Sequence, residues 1–113
     1  MDDLGRKALL FDFYGPLLTQ RQQEVYDYSR SEDMSLGEIA EALGISRQAV
    51  HDNLRRTEKI LEEYEAKLGL AETFLAIDGH VKNIRRSVSA MADTAETRSV
   101  LQEIDAIDAL ERR

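Results

Sequence analysis

The chain of 113 residues predicts an all-α fold, and three features carry that prediction. Proline occurs once, at Pro16, and neither β-branched runs nor alternating strand patterns occur. Apolar residues recur three and four apart, the period of helices with one buried face. Ser, Thr and Gly stand where helices start and stop. The length allows one compact unit with a modest core, or a small domain plus an arm.

The first helix covers residues 3–14, where Leu4, Ala8, Leu9, Phe11 and Phe13 stand among polar residues. Gly15-Pro16 ends it, because Pro disfavours a helical residue before it and has no N–H to donate. Thr19 caps a second helix over roughly 20–30, with Val25, Tyr26 and Tyr28 as its apolar content. Ser31-Glu32-Asp33 is a polar loop. Ser35 and Glu38 form a capping box for a third helix that runs to about Leu43. Gly44 then permits a sharp turn, and Ser46 caps a long helix that Gly69 stops after Leu68. At 1.5 Å per residue that helix is about 34 Å long. Its stripe is Val50, Leu54, Thr57, Leu61, Tyr64 and Leu68.

The next segment has a cleaner pattern. Leu70, Phe74, Ile77, Val81, Ile84, Val88 and Met91 alternate four and three, a seam that needs another helix. Asp93 and Glu96 have the capping-box spacing for a last helix near 94–111, with Leu101, Ile104, Ile107 and Leu110 as its stripe. The expected division is 1–69, a domain ending in the long helix, and 70–113, a helical arm.

Composition narrows the chemistry. With no Cys there is no disulfide, thiolate metal site or catalytic thiol. Two His residues, His51 and His80, leave little for a metal cluster, so no metal or cofactor is expected. Asp12 and the Glu62-Glu63-Glu65 run have no nucleophile placed near them, and charge runs on long helices are usually solvated faces. An enzyme is not expected. No apolar stretch approaches the ~20 residues of a membrane span. The opening MDDLGRKALL is acidic before it is apolar, unlike a secretory signal, which makes the cytoplasm the default location. Net charge is −7, unfavourable for tight non-specific binding to nucleic acid, so any such contact requires a local basic face.

Residues 35–56, SLGEIAEALGISRQAVHDNLRR, meet the requirements of a helix-turn-helix at one register. Ala40 is small where the helices cross, and Gly44 allows the turn. Ile39, Leu43, Ile45, Val50 and Leu54 pin the pair to a core. Ser46, Arg47, Gln48, His51 and Asp52 present polar groups at the start of the second helix.

The stretch from Thr19 to Arg56 resembles the four-helix DNA-binding region 4 of bacterial sigma factors, which share a Thr-x-x-Gln opening and the EIAxxLGxS core. More specifically, LLFDFYGPLLTQRQQEVYDY and DMSLGEIAEALGISRQAVHDNLRRTEKILEEYEAKLGL resemble the YlxM family of small helix-turn-helix proteins from Gram-positive bacteria. The resemblance covers Leu9 to Leu70; the tail carries only a helical pattern. It implies a link to the signal recognition particle, whose GTPase gene lies beside such genes, and supplies no catalytic residues. Carried over by motif position, the DNA-facing candidates are Ser46, Arg47, Gln48, His51 and Asp52, flanked by Arg55 and Arg56.

Arg can read guanine and Gln adenine in a major groove, the roles open to Arg47 and Gln48. Arg55, Arg56 and Lys59 either contact phosphates or pair with Glu58, Glu62 or Glu63 on their own helix. The aromatic residues are expected in the core, with Phe11 and Tyr14 packing the first helix onto the helix-turn-helix. The seam residues Leu70, Phe74, Ile77, Val81, Ile84 and Val88 pack either within the monomer or against a second chain, and a homodimer is the favoured expectation. Two functions follow: a DNA-binding regulator, or an accessory factor that contacts signal recognition particle protein or RNA.

Overall fold

The computed structural model describes residues 2–111. Six α-helices follow in order: α1 (Asp3–Tyr14), α2 (Gln20–Arg30), α3 (Leu36–Leu43), α4 (Arg47–Leu68), α5 (Leu70–Ser89) and α6 (Ala95–Glu111). No strand occurs among the described residues. A single 3-10 turn, Gly15–Leu17, joins α1 to α2 and places Pro16 where its missing N–H costs nothing. Two compact units divide between Ala71 and Glu72.

The helix starts are set by side chains that satisfy the orphan N–H groups of the first turn. Asp2 caps α1 by accepting from the Gly5 N–H at 2.7 Å. Thr19 and Gln22 form a reciprocal capping box on α2, and Ser35 and Glu38 form another on α3. Ser46 accepts from the Ala49 N–H at 3.0 Å to open α4. Gly44 and Gly69 end α3 and α4 in the left-handed region, at φ 68° and 63°, where a Cβ would be strained.

Helix α4 is the spine of the first unit. Near its start Val50 joins Val25, Ile39 and Ala40 in one core cluster. Farther along, Leu61 joins Leu10, Tyr14, Leu18, Tyr26 and Ala71 in a second. Leu54 packs against both. Phe11 stacks on Tyr26 with centroids 4.6 Å apart, and Tyr14 stacks on Tyr64 at 5.8 Å, so the aromatic pairs join the first helix to α2 and to the later part of α4, outside the residues 35–56 onto which Phe11 and Tyr14 were expected to pack. Two expected core residues are instead exposed: Leu4 on α1 and Leu68 at the end of α4. Leu4 stands in the first turn of α1 and Leu68 is the last residue of α4.

Tyr14 and Glu65 connect α1, α4 and the start of α5. The fully buried Tyr14 hydroxyl donates to Glu65 Oε1 at 2.6 Å and accepts from the Leu70 N–H at 3.0 Å. The same Glu65 oxygen accepts from the Ala71 N–H at 3.0 Å. A carboxylate at the start of a helix suits its dipole, so this cluster caps α5 with groups from two other helices.

In the second unit α5 and α6 run antiparallel across the short connection 90–94. Arg85 bridges to Asp105 at 3.0 Å and Asp108 at 2.7 Å. The start of α6 differs from expectation. Thr94, not Asp93, is the cap: its Oγ1 accepts from the Thr97 N–H, and Thr97 Oγ1 accepts from the Thr94 N–H. Asp93 turns instead to Arg98 at 3.7 Å. A hydroxyl pair at i and i+3 supplies the same reciprocal satisfaction as an acid pair.

The expected seam does not bury as one stripe. Val81 is buried and Phe74 and Val88 are half-buried, but Leu70, Ile77, Ile84 and Met91 are exposed. On α6, Leu101 and Ile104 turn inward while Ile107 and Leu110 stay exposed. One partner helix covers only one of the two lines in a heptad seam, and Asp78, Arg85 and Asp108 occupy flanking half-buried places.

Candidate nucleic-acid interface

Helices α3 and α4 are joined by the tight turn that the sequence requires. The Ile45 N–H returns to the Ala40 carbonyl at 3.1 Å, closing the turn behind the left-handed Gly44. Ala40 is buried at the crossing, and Ile39 and Val50 are fully buried below it. Tyr28, Met34, Leu36, Leu43 and Ile45 pack around that cluster. The two helices are therefore locked to α2, and their polar surface is what remains free.

That surface is the first turns of α4. Ser46, Arg47, Gln48 and Asp52 are exposed, and His51 is partly so. Gln48 Nε2 donates to Asp52 Oδ1 at 2.9 Å, and His51 Nδ1 lies 3.8 Å from the same oxygen. Gln48 and His51 thus converge on the Asp52 carboxylate, which orients the Gln48 amide and presents an acceptor to any ligand. Arg47 lies along α3: a side chain at Gly37 would come within 3.7 Å of Arg47 Nε. Ser46 spends its hydroxyl as the α4 cap, so it shapes this surface more than it offers contacts.

The flanking cations resolve in an unforeseen way. Glu62 binds Arg6 at 2.6 Å and Glu58 binds Lys7 at 3.6 Å, both across to α1. Glu58 first, and Asp3 next, hold the Lys7 ammonium above its usual range. With Glu58 and Glu62 turned to α1, no carboxylate among the described residues lies within ion-pair distance of Arg55, Arg56 or Lys59. Arg55 and Lys59 border one cleft together with Lys7, Leu10 and Tyr26, and Arg56 is exposed one step round the helix. Sequence reasoning missed the Gln48–Asp52 pair, although its i,i+4 spacing is the signal for one. It also missed the α1 cations, which no local pattern could have paired with α4.

His80 is exposed and stands outside this surface. Among the described residues, Asp78, Asp108 and Glu111 form a group of carboxylates close enough to share a metal ion, in the second unit. Lys82 already binds Asp78 at 2.9 Å and Arg85 binds Asp108 at 2.7 Å, which accounts for that grouping by ion pairing. No helix among the described residues is long and apolar enough to cross a membrane.

Comparison with known proteins agrees with this geometry. The family described as "Putative helix-turn-helix protein, YlxM / p13 like", UPF0122, matches residues 1–103. The chain belongs to this family. A UPF0122 protein of Symbiobacterium thermophilum is 62% identical over 69 residues, covering 61% of this chain and 64% of that protein. UPF0122 proteins of Shouchella clausii and Halalkalibacterium halodurans are 41% and 40% identical over 108 residues, each covering 96% of this chain and 99% of the relative. The UPF0122 match extends past Leu70, where the sequence alone showed only helical periodicity.

Proposed function

We propose that this UPF0122 protein is a nucleic-acid-binding regulator that reads DNA with the first turns of α4. The observation that carries the reading is the surface just described. Arg47, Gln48, His51 and Asp52 share one exposed face at the start of a helix whose opposite face is anchored by Val50. In a helix-turn-helix this end of the second helix enters the major groove. Arg47 suits the guanine edge and Gln48 the adenine edge, while Asp52 accepts from a cytosine amino group and disfavours phosphate. Arg55 and Arg56 lie one turn on and suit backbone phosphates.

The test is binding to DNA from upstream of the protein's own operon, titrated with salt. Few cations face outward, so the slope of log affinity against log salt should be shallow, near the count of local basic residues. Arg47→Ala should cost about 1–3 kcal/mol and relax preference at one base, while Arg56→Ala should weaken all sequences alike. The net charge of −7 favours a second reading, in which the helix-turn-helix is a scaffold that contacts signal recognition particle RNA or its GTPase. Retention by that RNA or protein, with no DNA binding at low salt, would replace the first reading with the second.

A further inference from the structure

We propose that the outer face of the α5–α6 hairpin is a self-association surface, on which a second copy of this chain completes a four-helix bundle. The hairpin has two unlike sides. Taking Val81 and Ile104 as its buried centres, and about 100° per helical residue, Arg85 and Asp108 lie round to one side of the contact. That side is closed by the Arg85 bridges to Asp105 and Asp108. Ile77 and Ile84 lie about 40–60° the other way from Val81, and Val100 and Ile107 lie by the same angles from Ile104. In an antiparallel pair, equal offsets on the two helices fall on one face. All four are exposed, from 39% at Ile107 to 47% at Ile84.

Three features name the occupant as a second copy. First, Ile77, Ile84 and Met91 are spaced by seven, as are Val100 and Ile107, which is the repeat of a helix packed against another helix. Second, beyond Ala71 each helix has one buried apolar residue, Val81 or Ile104. A two-helix layer of that kind lacks a core, and two such layers face to face make a closed bundle. Third, the rims are complementary under a twofold axis. Next to the apolar face, α5 carries His80 and α6 carries Glu96 and Glu103, so α5 against the α6 of the other copy avoids opposing acids. The same acidic rim, without Lys or Arg, argues against an anionic lipid surface as the occupant.

Sedimentation of the full chain over a wide concentration range tests the proposal. The wild-type chain should reach the mass of a dimer, and a monomer throughout would overturn it. Ile84→Glu should weaken association by about a hundredfold or more with helix content unchanged, because the carboxylate would enter a dry interface. Arg86→Gln, about 160° round α5 from Ile84, should leave the dimer intact. If Ile84→Glu loses helix, Ile84→Ser and Ile107→Ser probe the same face more gently. A folded dimer that persists in those variants means the surface lies elsewhere. The pairing has its own check. The Arg85–Asp105 bridge sets Ser87 level with Glu103 on the same rim, so Ser87→Glu should weaken the dimer by like-charge opposition to Glu103 of the other copy, and adding Glu103→Lys should restore it. Failure of the double variant to recover would overturn the α5-against-α6 arrangement.

Discussion

Two buried tyrosines show how much one hydrogen bond decides. Tyr14 and Tyr26 are both almost fully buried on the same side of α4. The Tyr14 hydroxyl serves Glu65 and the Leu70 N–H, whereas Tyr26 Oη has no hydrogen-bond partner among the described residues. Tyr14→Phe should therefore destabilise the first unit by about 1–3 kcal/mol, since it removes one of the donors to the buried Glu65 carboxylate and leaves the Leu70 N–H without its acceptor. Tyr26→Phe, which keeps the stack on Phe11, should be close to neutral; paired denaturant titrations separate the two. Burial also raises the Tyr14 and Tyr26 phenols above their usual range, the bond to Glu65 adding to the effect at Tyr14. An acid whose pKa is higher in the folded state stays protonated after the unfolded chain has begun to ionise. Stability from these groups is complete below about pH 10 and falls as pH rises beyond it. Alkaline titration of the wild-type chain should show that loss, and Tyr14→Phe should flatten it.

Among the elements, the turn between α3 and α4 is the most constrained. A Cβ at Gly44 would meet nothing within 4 Å, so the requirement there is conformational and not steric. Left-handed backbone costs an L-residue about 1–2 kcal/mol, and Gly44→Ala should lose that much. Gly44→Val should lose more, because β-branching is worst tolerated there, and Gly44→Asn should lose less. At Ala40 the constraint is space: Ala40→Leu overfills the crossing and should cost about 1–3 kcal/mol. Thermal melts of the four variants rank these effects directly. The order Val, Ala, Asn would fail if Gly44 leaves the left-handed region in solution. These features could be read from single residues because caps and turns are local. Ser35, Ser46, Gly44 and Gly69 act within four residues of themselves. The Asp93 misreading has the same root: Asp93 and Thr94 both satisfy local cap chemistry, and only the path of the chain selects Thr94.

At the scale of the whole molecule, the charge of −7 and the candidate groove-reading face pull in opposite directions. The structure eases that conflict by sending Glu58 and Glu62 to Lys7 and Arg6. Arg6→Ala with Lys7→Ala should free both carboxylates to face Arg55 and Lys59. DNA affinity should then fall, most at low salt, without loss of the α3–α4 turn; helix content and a salt titration together would show it. Unchanged affinity at every salt concentration would mean that the α1 cations have no part in exposing that surface. The sequence by itself determined the number of helices, most of their ends and the helix-turn-helix register, because periodicity, caps and left-handed glycines are properties of neighbouring residues. It also marked Arg47, Gln48, His51 and Asp52 as outward-facing, since their places follow from the same register. Only the tertiary structure decided which carboxylates Arg6 and Lys7 would take, that Glu65 would be buried under Tyr14, and which half of the 70–91 seam would meet α6. Those outcomes depend on helices distant in sequence arriving at one place, and side-chain spacing along a single helix carries no record of which neighbour will cover it.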